Sequence, residues 1–157
     1  MGTEEHEVSS NITRYTVDVA GISRSLPVVE LSGGIRVPFL NILGDTKLIQ
    51  AAASALKERL KTVHLDVIVV PAVKSVILGY ALSVEMDLPF VVLTKTQKTY
   101  MGKFVAEEVR SITTDQQQYL YLSEQDAALL AGKRVVLLDD VISSGSTVRA
   151  MEQLSLI

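Results

Sequence analysis

Two aspartates stand side by side at Asp139 and Asp140, directly after the apolar run Val135 to Leu138. Val141 and Ile142 follow, and then five small residues in a row: Ser143, Ser144, Gly145, Ser146 and Thr147. Adjacent carboxylates repel, so this spacing requires a cation or several hydroxyls against them. Small residues at a strand-to-helix turn let backbone N–H groups converge, and the helix start adds roughly +0.5 of partial charge, which makes an anion cradle. The serine and threonine hydroxyls add further donors. The stretch therefore offers acceptors for sugar hydroxyls beside donors for an anion, and a sugar phosphate satisfies both halves.

Two other readings account for less. An apolar strand ending in Asp-Asp also describes the magnesium-binding strand of P-loop nucleotidases, but that requires an upstream GxxxxGK[ST] run, and the chain has none. An ordinary strand end with an aspartate N-cap explains one acid, and leaves the second acid and the five small residues without a cause. His6 and His64 are far apart in sequence and make no metal site, and with no cysteine present thiolate sites and disulfides are excluded together.

The acid pair needs a scaffold, and the pattern of the chain supplies one. Leu65 to Pro71 is a continuous apolar run of strand length, as expected for a parallel strand covered on both faces. Ser75 to Met86 reads as the helix after it, Leu88 to Leu93 as the next buried strand, and Arg134 to Leu138 as a third, with a helix from Thr147 onward. Upstream, Asp45 is a candidate N-cap for a helix whose Leu48, Ala52, Leu56 and Leu60 recur every four residues on one face. Short β-like runs at Tyr15 to Val19, Pro27 to Glu30 and Ile35 to Phe39 are punctuated by Gly21 and by Gly33 with Gly34. Thr94 to Gln118 is polar and reads as a long loop, of the kind that usually does work. Tyr119 to Leu122 resumes a strand, and Ser123 to Asp126 resembles a capping box that opens a short helix before Gly132. Strands alternate with helices, which gives an α/β class with a mainly parallel sheet flanked by helices. Ligands of such sheets bind beyond the carboxyl ends of the strands, where Asp139 and Asp140 stand.

The composition fits one domain over residues 1–157: 48% hydrophobic and 21% charged residues are a globular balance. A net charge of −3 argues against a nucleic-acid partner, which calls for a basic face. Val67 to Val84 is the most membrane-like run, but a proline and a lysine near its middle make strand, turn and helix the better reading. The acidic, polar N-terminus has no signal-peptide pattern, so a soluble, cytoplasmic protein with no membrane association is expected.

VVLLDDVISSGST resembles the ribose-phosphate signature of type I phosphoribosyltransferases, in which an apolar strand and an acidic pair lead into a turn of the form [AS]-[ST]-G-[GS]-T. VVPAVKSVILGYAL lies where that family keeps its pyrophosphate loop, and LPFVVLTKTQKTYM is similar to the strand and lysine-bearing loop of purine-salvage members. The resemblance covers Gly44 to Leu154, so that residues 44–157 would be the core and residues 1–43 a hood over the base. It implies an adenine-type purine phosphoribosyltransferase, with hypoxanthine or guanine as other bases. Asp139 and Asp140 would hold the ribose hydroxyls of 5-phosphoribosyl 1-pyrophosphate, and Ser143 to Thr147 would cradle its 5-phosphate. Val73 and Lys74 would lie at the pyrophosphate, with Lys95, Lys98 and Tyr100 approaching as the long loop closes. Magnesium would enter on the substrate rather than in a protein cage. A homodimer is expected; the other function the resemblance allows is a non-catalytic domain that senses phosphoribosyl pyrophosphate.

The chain departs from that pattern twice. The pyrophosphate loop of relatives usually reads E-x-[RK]-G, whereas here Ala72 and Ser75 replace the acid and the glycine. The chain also ends at Ile157, early in the helix after the signature, where the resembled family continues with further strands, so either the C-terminal part of the sheet is expected to be missing or the fold to be completed differently.

Overall fold

In the computed structural model, which describes residues 12–31, 33–109 and 118–156, the N-terminal third is a small antiparallel sheet of β1 (Arg14–Val19), β2 (Ile22–Glu30) and β3 (Arg36–Pro38), in that order. Ala20 and Gly21 both have positive φ, 54° and 78°, the pair of left-handed residues that a tight hairpin needs. Asp18 accepts the Gly21 N–H at 3.0 Å and closes the turn. The second strand is longer than the expected Pro27 to Glu30. It begins directly after Gly21, because that glycine is the hairpin corner and not a gap between strands.

The expected N-cap is present at α1 (Thr46–Leu60), where Asp45 Oδ1 accepts the Leu48 N–H at 3.2 Å. The same carboxylate takes a two-pronged hydrogen bond from Arg24, at 2.6 and 2.8 Å, and this bond is the main reason its pKa falls to about 2. One residue thus starts a helix and ties it to β2.

β4 (Val67–Pro71) is buried at every position, as its unbroken apolar run requires. It is the centre of a parallel sheet, between β5 (Phe90–Leu93) and β8 (Val135–Leu137). Its side chains alternate between two cores. Val67 and Val69 pack with Leu93, Leu120, Met151 and Leu154, and Ile68 and Val70 pack with Leu48, Leu82 and Leu138 on the other face. α2 (Ser75–Met86) follows the expected bounds and runs so close to β4 that a Cβ on Gly79 would come within 2.6 Å of Val70 Cγ1. The third strand differs from expectation: it lies at the sheet edge and its three residues are only half-buried, while Leu138 beyond it is buried.

The reading of Thr94 to Gln118 as one long loop is corrected over its described part, while residues 110–117 lie outside the described residues. After a 3-10 turn at Thr99–Met101, β6 (Phe104–Val109) pairs antiparallel with β7 (Gln118–Ser123), from Phe104↔Ser123 to Val109↔Gln118. Glu107 and Glu108 dilute the apolar signal there, yet Phe104, Val105 and Val109 keep strand character, and Phe104 meets Tyr121 edge-on at 5.5 Å. Thr94 and Tyr121 exchange backbone hydrogen bonds and join this arm to the end of β5. α3 (Glu124–Leu130) is capped by Ser123, whose oxygen accepts the Asp126 N–H at 3.1 Å and whose hydroxyl donates to Asp126 Oδ2 at 2.6 Å. α4 (Ser146–Ser155) completes the described chain and packs Met151 and Leu154 into the first core. Among the described residues no helix is long and apolar enough to cross a membrane.

Candidate functional site

Parallel pairing of β4 with β8 places Val69 opposite Leu137. The residues that leave the two strands, Ala72 to Ser75 and Asp139 to Thr147, therefore emerge side by side at the carboxyl edge of the sheet. The Ala72–Val73 peptide is cis and Val73 is exposed. Lys74 precedes α2 and turns back toward the acid pair.

The partner that two adjacent carboxylates require is both a hydroxyl and a cation. Ser75, only 2% exposed, places its Oγ 2.6 Å from Asp139 Oδ1 and 2.9 Å from Asp140 Oδ1. The Asp140 N–H donates back to Ser75 Oγ at 3.1 Å and to Asp139 Oδ1 at 2.9 Å. Asp140 Oδ2 is buried without a hydrogen-bond donor among the described residues, with the Lys74 ammonium 3.4 Å away as an ion pair. Lys74 also lies over the Phe39 ring, 5.1 Å from its centroid, so a residue of the N-terminal third steadies the cation. Burial is the largest influence on Asp139 and raises its pKa above the ordinary carboxylate value. The Ser75 hydroxyl and the Asp140 N–H oppose that rise, and the neighbouring carboxylate adds to it.

Beyond the acids the chain curls as the run of small residues anticipates. Gly145, with φ 77°, is the N-cap of α4 and supplies the left-handed turn. The Ser144 and Ser146 hydroxyls are 3.1 Å apart, and the Arg149 guanidinium donates to the Ser144 carbonyl at 3.3 Å from one turn into the helix. Val141 through Val148 line a small concavity of about 20 Å³, and Asp139 lines it with them, so acid and curl face the same space. A larger cavity of about 440 Å³ opens beside it, bounded by Glu107, Ser144, Ser146, Arg149 and Glu152.

Of the residues singled out in the sequence, Asp139, Asp140, Lys74 and Ser143 to Thr147 converge. Lys95, Lys98 and Tyr100 do not join them: all three lie exposed on the segment leaving β5, with Tyr100 80% exposed. Two participants were missed. Ser75 registers in the sequence only as an absent glycine, although a serine opening the helix after a central strand, beside an acidic pair at the next strand's end, is a legible signal. Phe39 closes a strand-like run with no charge partner in view, and only the tertiary fold brings it to Lys74.

The molecule is an open α/β domain whose polar site lies at the carboxyl edge of a parallel sheet, the position at which such folds bind ligands. Residues 40–155 match the phosphoribosyl transferase domain family, and the chain belongs to it. It is 33% identical over 107 residues to HGPRTase-like protein 3 of Haloterrigena turkmenica, covering 68% of this chain and 54% of that protein. With the xanthine phosphoribosyltransferase of an Exiguobacterium species it shares 31% identity over 117 residues, 74% of this chain and 60% of the relative. The chain thus spans a little over half the length of these relatives. The crystal structure of Saccharomyces cerevisiae adenine phosphoribosyltransferase, complexed with an imino-altritol bisphosphate and adenine, superposes with a TM-score of 0.66 at 23% identity, over 82% of this chain and 74% of that one.

Proposed function

We propose that the protein is a purine phosphoribosyltransferase that moves the phosphoribosyl group of 5-phosphoribosyl 1-pyrophosphate onto a purine, with adenine preferred over hypoxanthine and guanine. The observation that carries this reading is that Asp139 and the curl Val141 to Val148 line one concavity, which sets a carboxylate beside the serine and threonine residues at the start of α4. The family membership and the purine enzymes among its relatives support it. The yeast structure, complexed with adenine and an imino-altritol bisphosphate, supports the choice of ligand class.

In this reading the ribose hydroxyls donate to Asp139 and Asp140, and the 5-phosphate sits in the amides of Ser143 to Thr147. Lys74 faces the pyrophosphate. As the bond from C1 to pyrophosphate breaks, positive charge grows on the ribose beside the acid pair and negative charge grows on the leaving group beside Lys74. Placing a fixed group of opposite sign at each end lowers the barrier, and loss of one such group typically costs about 3 kcal/mol. A purine ring nitrogen then bonds to C1. Lys95, Lys98 and Tyr100 act on the pyrophosphate only if their segment closes over the site.

Magnesium would be carried by the substrate, and when bound it would supply charge neutralisation for the pyrophosphate. Asp139 would accept hydrogen bonds from its water ligands. A cytoplasmic homodimer completes the proposal.

Incubation with phosphoribosyl pyrophosphate, magnesium and each purine in turn tests it. Nucleotide and pyrophosphate should form in equal amounts, fastest with adenine. Substrate binding with no nucleotide formed from any purine contradicts the enzyme and leaves a phosphoribosyl-pyrophosphate-sensing domain in its place.

A further inference from the structure

Ser75 has a position that its type alone does not require. It is the first residue of α2, fully enclosed, and its hydroxyl reaches across 64 and 65 positions of chain to both acids. A hydroxyl carries one hydrogen and two acceptor sites. Here that single hydrogen is shared between Asp139 Oδ1 and Asp140 Oδ1, while the oxygen accepts the Asp140 N–H. Without it, two carboxylates on adjacent residues would turn away from each other to relieve their repulsion. With it, one oxygen of each acid is held to a common point, and the Asp140 N–H holds Asp139 Oδ1 from a second side. Asp140 Oδ2 stays buried against the Lys74 ammonium, which leaves Asp139 as the acid that faces the curl.

We infer that Ser75 is a positioning residue for the sugar: by holding the Oδ1 atoms of Asp139 and Asp140 together, it anchors Asp139 to the buried Asp140 and aims Asp139, which lines the concavity of the curl, at a hydroxyl of a ribose. This rests on the ribose-phosphate reading above and adds a residue to it. The serine stands where the resembled loop has glycine, so the device is written in this chain's own sequence.

The test compares two probes on the full chain by calorimetry: ribose 5-phosphate, which needs acids and curl, and inorganic phosphate, which needs the curl alone. Ser75→Ala should weaken ribose 5-phosphate about tenfold, the loss expected of a hydrogen bond to a charged group, and leave inorganic phosphate unchanged. If the alanine variant does not fold, Ser75→Cys keeps the bulk with a much weaker donor and is expected to give the same selective loss. Unchanged ribose 5-phosphate affinity, or a parallel loss of both probes, overturns the positioning role. A wild-type protein that binds ribose 5-phosphate no better than inorganic phosphate overturns the ribose reading itself, and the role of Ser75 with it.

Discussion

Asp139 carries a cost as well as a function. Its carboxyl is raised above the ordinary value of 3.8, chiefly because the folded chain removes water from it. A folded-state pKa above the unfolded one means that the folded protein binds the proton more tightly, so the ionised form weakens folding at pH 7. That weakening disappears as the pH falls through the raised pKa toward 3.8. Asp139→Asn should therefore raise Tm at pH 7 by thermal melting, with the gain shrinking to nothing in acid, while phosphoribosyl pyrophosphate binding falls at least tenfold. A lower Tm at pH 7 would mean that Ser75 and the Asp140 N–H stabilise the charge by more than burial costs. Lys74 shows the complementary economy: one ammonium pairs with Asp140 and rests on Phe39. Removing it would leave Asp140 Oδ2 buried with neither charge partner nor donor.

Among the elements, the contact of α2 with β4 sets how accurately the site is built, since Lys74 and Ser75 ride on the start of that helix. Gly79 makes the close approach possible. In an exposed helix Gly→Ala gains about 1 kcal/mol, but here the new methyl would sit 2.6 Å from Val70, a side chain with no exposure and little room to turn. Overpacking of this kind costs about 1–3 kcal/mol, so Gly79→Ala should lower stability in a urea titration despite the better propensity. A stabilised variant would show that helix and strand can separate without strain. The parts legible in the sequence are those with a local cause. The apolar run of β4 gave its double burial, Asp45 and Ser123 marked helix starts, and the acid pair with its small residues marked the site. The β6 strand was hidden because its two glutamates break the apolar alternation, and its pairing depends on β7, which begins at Gln118 further along the chain. The edge position of β8 was hidden because Val135 to Leu137 is as apolar as a central strand, and strand order is a property of the whole sheet. Ser75 and Phe39 were missed for the same reason: their partners lie 64 and 35 positions away along the chain.

At the scale of the molecule, a chain with net charge −3 carries several large apolar side chains in solvent, among them Tyr15, Ile35, Tyr80 and Val84. Exposed apolar surface favours association. The proposed homodimer makes a measurable statement: Tm should rise with protein concentration, because mass action stabilises an associated folded state. A concentration-independent Tm, with a solution mass of 17.1 kDa, would contradict it. The two halves of the molecule are joined through Arg24 with Asp45 and through Phe39 with Lys74, and the second link ends in the acid pair. What the molecule does depends on whether a ribose phosphate docks between those acids and the curl at the start of α4. Calorimetric titration of the wild type and the Asp139→Asn/Asp140→Asn double variant with phosphoribosyl pyrophosphate and magnesium tests this most directly. Saturable binding by the wild type, abolished in a folded double variant, is the predicted result; equal affinity in the two proteins would contradict it.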